Sequence, residues 1–284
     1  MLDFLTQPAG FDIGETGGWL FDAQQPLWHA FAVGLGNTLR VSLPAIVLAL
    51  ALGTVLGLGR LSALPVQRRL SLLLVDTFRN VPLLVQLLMW YFALVEILPD
   101  PSSAVALLPG VWLSKGGLSF PWWDGAVGAW SVPVQEPFNV QGGAALTPEY
   151  LAVLMALSTY TGAFIAEIVR AGVLSVPRSL LEAAETLGAT QAQMRWRVLL
   201  PQAWRAIMPP LSNQILNLIK NSSLAVAVGY PDLVSVGNTA LNQTGRVFEC
   251  MALMMLVYLL LSLLVSTWMN RSARLHRERA AAGG

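Results

Sequence analysis

Lys220 is a cation set in an apolar run, and the residues around it are spaced to share its surroundings. Asn213, Asn217 and Lys220 recur at i, i+4 and i+7, which places them on one face of a helix, and Asn221, Ser222 and Ser223 follow directly. A charge at bilayer depth costs at least about 2.5–3.5 kcal/mol. An apolar helix therefore keeps such groups only where they face water, a partner or a ligand. Two plainer readings compete: Lys220 can snorkel to the surface, and Asn213, Gln214 and Asn217 can hydrogen-bond to neighbouring helices.

Other apolar runs carry polar groups of their own. Arg79-Asn80-Val81-Pro82 opens one of them. Gln86, seven residues beyond Arg79, shares its face on a continuous helix, which Pro82 kinks locally by removing a backbone donor. Another run holds Thr159, Tyr160 and Thr161 near its middle. Tyr160, Phe164 and Glu167 lie on one face by their spacing of four and three, and Glu167 can also pair with Arg170 at i,i+3. Gly53 and Gly57 form a G-x-x-x-G, the signature of close helix packing. Catalytic and metal chemistry have no support. His29 and His276 stand at opposite ends, the carboxylates are scattered, and no G-x-x-x-x-G-K-[ST] loop occurs. No catalytic residue, no metal site and no cofactor is expected in this chain.

The elements that position these residues are membrane helices. Only 12% of the 284 residues are charged and 55% are hydrophobic, whereas a soluble domain carries about 25% charged residues; mean hydropathy is +0.59. A span needs about 20 mostly apolar residues, and five runs qualify: about 30–58, 72–98, 148–173, 203–228 and 247–269. A net charge of +1, with no basic run interleaved with aromatics, gives nucleic-acid binding no support. Cys250, the one cysteine, lies in an apolar run as a buried, inert thiol. The first 28 residues lack the basic start and apolar core of a signal peptide.

Lysines and arginines near the span ends set the orientation. Arg60, Arg68 and Arg69 fall between the first two spans, and Arg170, Arg178, Arg195, Arg197 and Arg205 around the connection of the third to the fourth. Arg271, Arg274, Arg277 and Arg279 follow the fifth, while the opposite side holds Lys115 and Arg246 among many carboxylates. The amino terminus is thus expected outside and the carboxyl terminus in the cytoplasm. The chain divides into an external segment 1–29, a membrane domain 30–270 and a solvated, frayed cytoplasmic tail 271–284. Within the domain, an external insertion at about 99–147 is rich in Pro, Gly and Trp. It is either a shelf for an external partner or an interfacial cover, and Trp112, Trp122, Trp123 and Trp130 suit the headgroup level.

On the cytoplasmic side lies the most patterned stretch, about 175–201. Ser179 with Glu182, and Thr190 with Gln193, read as two capping boxes. Gly188 between them suits the left-handed residue that ends a helix. Two short helices about a glycine elbow make a rigid knob that can transmit a push from a partner. A plain amphipathic connector would carry the same caps. Glu182-Ala183-Ala184-Glu185-Thr186-Leu187-Gly188, then nine residues, then Val198-Leu199-Leu200-Pro201, resembles the cytoplasmic coupling loop of ABC-importer permeases, with Val198 where Ile is usual.

The resemblance extends over nearly the whole chain. Residues 78–86 (FRNVPLLVQ), 160–172 (YTGAFIAEIVRAG), 218–224 (LIKNSSL) and 242–245 (NQTG) resemble permease subunits of polar amino-acid ABC importers, the histidine/glutamate/glutamine permease family. Lys115-Gly116-Gly117-Leu118 is similar to its general L-amino-acid group in Gram-negative bacteria. The resemblance implies an all-α integral membrane protein with the type I ABC importer permease fold, about five transmembrane helices and a cytoplasmic coupling-helix loop. It implies a bacterial inner-membrane subunit that moves amino acids by alternating access. The partners would be an ATPase subunit that binds ATP and Mg, a second permease subunit, identical or homologous, and a periplasmic amino-acid-binding protein.

Positions matching the family's substrate pathway are Thr159, Tyr160, Glu167, Lys220, Asn221, Ser222 and Ser223, and those matching its ATPase-coupling motif are Glu182, Ala183, Ala184 and Gly188. In that setting Lys220 would meet a substrate carboxylate, and Glu167 would face the ammonium group or pair with Lys220. An autonomous ion-coupled amino-acid carrier would use the same two residues. It predicts an inverted repeat, which five spans without visible halves argue against. A mere membrane anchor for an ATPase has no need of costly polar groups in its spans.

Overall fold

In the computed structural model, which describes residues 3–124 and 128–282, the first long element is α1 (Leu27–Gly59), 33 residues. At 1.5 Å per residue it is about 50 Å long, well beyond a hydrocarbon core of about 30 Å. Its first part packs beneath the N-terminal segment. Phe4 and Ala9 are buried there with Leu27, Ala30 and Phe31, against Leu233, Val236, Cys250 and Met254. Its second part carries Gly53 and Gly57 and lies on α4 (Pro148–Leu174). A Cβ on Gly53 would stand 2.8 Å from the Gly162 carbonyl oxygen, and one on Gly57 2.6 Å from that of Ala166. The G-x-x-x-G is the seam where two backbones approach.

α2 (Pro65–Asn80) and α3 (Leu83–Ile97) meet at 106°. The expectation of one locally kinked span over 72–98 is corrected here. Val81 precedes a proline and is extended, with φ −91° and ψ 128°, and Pro82 has no N–H to continue the ladder. Arg79 and Gln86 therefore do not share a helix face. Gln86, only 1% exposed, reaches back across the break. Its Nε2 donates to the carbonyls of Phe78 at 2.7 Å and Val81 at 2.9 Å, satisfying groups that a helix end leaves open.

Between α3 and α4 the chain folds into strands that the helical reading did not foresee. β1 (Val105–Leu108), β2 (Val111–Ser114) and β3 (Gly117–Phe120) form an antiparallel sheet with the last strand before α4. β4 (Trp122–Asp124) pairs with β5 (Ala129–Ser131), β6 (Val134–Gln135) with β7 (Val140–Gln141), and β8 (Ala144–Leu146) closes the sheet beside β3. Pro109-Gly110 and Gly116-Gly117 between short apolar runs were the available turn signals.

α4 is the central helix, packed by α1, α2, α3 and α7. After it come α5 (Arg178–Thr186), α6 (Gln191–Gln193), a π-helical turn (Met194–Leu199) and α7 (Leu200–Asn221). A 3-10 segment (Ser222–Val228), α8 (Leu233–Thr244) and α9 (Val247–Ala282) complete the chain. Among the described residues three helices are long and apolar enough to cross a membrane: α1, α4 and the Val247–Met269 part of α9. The bent α2–α3 pair makes a fourth. α7 stands where the fourth run was expected but is amphipathic. Ala203, Ile207, Leu211, Ile215 and Leu218 are buried, while Asn213, Asn217 and Lys220 are exposed. α9 continues where a frayed tail was expected, its alanines, arginines and glutamate being good helix formers. The side chains of Arg274, His276, Arg277 and Arg279 lie outside the described residues.

Candidate functional site

One end of the bundle carries the elbow. α5 begins at Arg178 behind Pro177, which puts Ser179 inside the first turn, so the capping box expected of Ser179 and Glu182 does not form. The second box does. Thr190 Oγ1 accepts from the Gln193 amide at 3.3 Å, and Gln193 Oε1 accepts from the Thr190 amide at 2.8 Å. Gly188 has φ +81°, and no atom lies within 4 Å of where its Cβ would be, so backbone conformation alone demands glycine. The Ala189 amide donates to Ala184 O at 3.0 Å, closing α5 as a left-handed cap does.

The second arm is not a separate short helix. α6 runs through the π-turn into α7, and the Leu200 amide bonds Arg195 O. Pro201 cannot donate to Arg197, and the wider turn absorbs that missing bond. The elbow is thus rigidly joined to α7. A groove of about 350 Å³ between its arms is lined by Arg178, Glu182, Glu185, Met194, Arg195 and Leu199. Glu182 and Ala183 are exposed and Ala184 is half-buried. Leu187 and Trp196 show 89% and 71% of their surfaces, an apolar display that suits a docking partner.

At the far end of α7, Lys220 and Ser223 line a cavity of about 480 Å³ with Val234, Asn238, Met251, Met254, Met255 and Tyr258. Among the described residues Lys220 forms no ion pair, and Asn213 and Asn217 make no side-chain hydrogen bond, so the helix-to-helix bonding considered for them is not made within this chain. Ser222 is fully buried and donates to Ile219 O at 2.7 Å, and Ser223 donates to Lys220 O at 2.8 Å. Asn221, half-buried, joins α7 to the 3-10 segment. The structure thus gives Ser222 a backbone-capping role rather than a place on the cavity wall. Behind Tyr258 sits Asp232, one of the many carboxylates on the side of Lys115 and Arg246. It is 0% exposed and caps α8 by accepting from the Ser235 amide at 2.9 Å. Burial pushes its carboxyl up to about 7, against the amides of Ser235 and Val234 that pull it down. Its place directly before an apolar helical run was the signal for a cap.

Thr159, Tyr160 and Glu167 do not line that cavity. Thr159 donates to Met155 O at 2.8 Å within its own helix, and the Tyr160 ring lies 5.0 Å from that of Phe164. Glu167 does not pair with Lys220. Its Oε2 takes Arg60 Nη1 at 2.5 Å and its Oε1 takes Arg170 Nη2 at 2.5 Å, while Arg79 Nη1 stands 3.9 Å away. The i,i+3 pair with Arg170 is present, enlarged by Arg60 at the end of α1 and Arg79 of α2.

At the opposite end, where the insertion sits, a second polar knot joins four segments. Glu15 Oε1 takes Arg40 Nη1 at 2.5 Å, and its Oε2 accepts from Thr147 Oγ1 at 2.7 Å. Asn37 Nδ2 donates to the carbonyls of Glu15 at 2.7 Å and Pro231 at 3.0 Å. Tyr150 and Tyr230 donate to Arg40 O and Asn37 O, both at 3.1 Å. Arg40 was missed by the sequence reading although it falls inside the run 30–58.

A family of binding-protein-dependent transport system inner membrane components matches residues 45–279. The chain is 39% identical to a putative amino-acid ABC transporter permease of Escherichia coli K12 (YhdX), over 94% of this chain and 83% of that protein. It is 35% identical to the general L-amino acid transport system permease AapQ of Rhizobium johnstonii, over 94% and 81%. It is 30% identical to the glutamate/aspartate import permease GltJ of Escherichia coli K12, over 88% and 87%. The fold matches a crystal structure of an amino acid ABC transporter with TM-score 0.64 and 24% identity, over 87% of this chain and 94% of that one. It also matches an inward-facing structure of the MetNI methionine ABC transporter with TM-score 0.55 and 20% identity, over 88% and 94%. Permease subunits of this kind are not themselves catalytic, and an importer permease implies ATPase and binding-protein partners. With three long apolar helices among the described residues and most of its length matched, the chain belongs to the family of binding-protein-dependent transport system inner membrane components, the multi-pass permease subunits of ABC transporters.

Proposed function

We propose that this chain is the permease of an amino-acid importer, with Lys220 in the substrate pathway and the Gly188 elbow as its contact with the ATPase. The observation that carries this reading is the cavity at Lys220. A zwitterionic solute leaving water needs both charges compensated, or the pathway becomes a barrier of several kcal/mol. Lys220 offers a cation without an ion-pair partner among the described residues, and Asn238, Tyr258 and Ser223 add polar groups around it. About 480 Å³ is ample for one amino acid. The amino-acid permeases among its relatives support the substrate class.

The exposed stripe of Asn213, Asn217 and Lys220 on α7 suits a pathway shared with a second permease subunit, identical or homologous. In this reading Thr159, Tyr160 and Asn221 also belong to the pathway, while Glu167 ties helices together. The arginine asymmetry supports an outside amino terminus, a cytoplasmic elbow and an external insertion at 99–147. ATP and Mg belong to the ATPase subunit, and a periplasmic amino-acid-binding protein delivers the substrate.

Lys220→Met keeps the stem and removes the charge. The expected result is a complex that assembles and hydrolyses ATP but takes up substrate roughly tenfold more slowly, acidic amino acids suffering most. Uptake near wild type at equal abundance, measured in proteoliposomes with the binding protein, overturns the role of Lys220. Gly188→Val forces a β-branched residue into positive φ. ATPase co-purification should fall while membrane insertion persists, and unchanged transport would make the elbow a mere connector.

A further inference from the structure

Around Glu167 one carboxylate stands among three guanidinium groups, and their charges sum to +2. Arg60 and Arg170 each hold a carboxylate oxygen at 2.5 Å, but Arg79, at 3.9 Å, is too far for a hydrogen bond. Its Nε is buried without a partner, and its guanidinium rests 5.2 Å from the Phe164 ring centre. Among the described residues no second carboxylate forms an ion pair with these arginines. Asp76, one turn before Arg79 on α2, lines a separate groove with Arg69, Leu72, Leu73, Thr77 and Asn80. Yet the cluster is reachable, since Arg79 and Arg170 keep 35% and 31% of their side-chain surface.

A buried donor without its hydrogen bond is destabilising, and clustered guanidiniums repel. The repulsion is relieved by one more anion at the exposed part of the Arg79 side chain, and the planar fork of arginine matches the two oxygens of a carboxylate or phosphate. We propose that Arg79, with Arg60 and Arg170, forms a site for a second oxyanion beside Glu167. Two sources offer that chemistry: the phosphate of an anionic phospholipid, or the carboxylate of an amino acid leaving the pathway. The second rests on the transport reading above, and the first does not.

The test uses the complete transporter in nanodiscs, carrying Lys220→Met so that the first cavity does not confuse the result. Unfolding midpoints are compared in phosphatidylcholine alone, with added phosphatidylglycerol, and with added glutamate. An occupied site at a hundredfold excess over Kd should raise the midpoint by several degrees. A rise with phosphatidylglycerol that Arg79→Gln abolishes and Arg79→Lys partly restores assigns the lipid phosphate. The same pattern with glutamate assigns the amino-acid carboxylate. No rise with either, or a rise of equal size in Arg79→Gln, overturns the site. If Arg79→Gln fails to assemble, Arg60→Gln serves in its place. Uptake by the wild-type transporter, measured alongside, tests the transport reading separately.

Discussion

The two ends of the helix bundle are held by opposite electrostatic arrangements. At the insertion end, Glu15 and Arg40 balance each other, and both oxygens of Glu15 are engaged, by Arg40 and Thr147. Asn37, Tyr150 and Tyr230 complete a network joining the N-terminal segment, α1, α4 and the loop before α8. Toward the elbow end, Glu167 alone faces Arg60, Arg79 and Arg170. A neutral, satisfied network in a low dielectric is rigid, whereas a partly satisfied one is poised to change partners. The first end is a fixed joint. The second, with positive charge to spare, is where helices can part or another anion can arrive.

Four substitutions would break or sharpen that contrast. Glu167→Gln removes the one carboxylate that, among the described residues, pairs with these three arginines, and should cost about 3 kcal/mol, the low end for breaking a buried pair, because Glu167 is 26% exposed. Gln86→Leu leaves the carbonyls of Phe78 and Val81 without their donor at the break between α2 and α3. It should cost about 2 kcal/mol. Glu15→Gln keeps an oxygen for Thr147 and strands one cation that is 29% exposed, so about 1 kcal/mol is expected. Denaturation of the purified subunit reads all three, and a Glu15→Gln loss equal to that of Glu167→Gln would abolish the contrast.

A fourth effect is one of pH and concerns Asp232, beside the insertion-end knot. Its folded pKa of about 7 lies above its ordinary value of 3.8, so the folded chain binds the proton more tightly than the unfolded one. Its stabilisation is therefore complete below about pH 4 and is lost as pH rises through 7. The wild-type unfolding midpoint should fall between pH 5 and pH 8. Asp232→Asn, which keeps a good helix cap, should flatten that slope, and an unchanged slope would remove Asp232 as its source.

Features governed by local rules were legible from the residues. Hydropathy marked the membrane class, Gly53 and Gly57 marked the α1–α4 seam, and Gly188 with Thr190 and Gln193 marked the elbow. Pro82 marked where the second span departs from a straight helix but not how far. The right angle is held by Gln86 and by Val75 and Phe78 packing on Ala163 and Ala166, contacts that no periodicity contains. The Ser179 box failed because Pro177 started the helix early. The strands of the insertion were missed because short apolar pieces of three or four residues carry little period of their own.

The candidate sites divide in the same way. That Lys220, Asn213 and Asn217 share an open face of α7 follows from spacing alone, since side chains at i, i+4 and i+7 must align on any α-helix. Which charges meet between helices does not, although the i,i+3 pair of Glu167 with Arg170 was in the spacing. Glu15 and Arg40 are 25 residues apart, and Arg60 and Glu167 are 107 apart. Such pairs depend on which helix faces are pressed together. The residue types and their spacing determined that this chain crosses a membrane and carries polar groups along its helices. Only the tertiary structure decided that Glu167 binds arginines rather than Lys220, because an ion pair between helices is set by packing geometry, not by helical period.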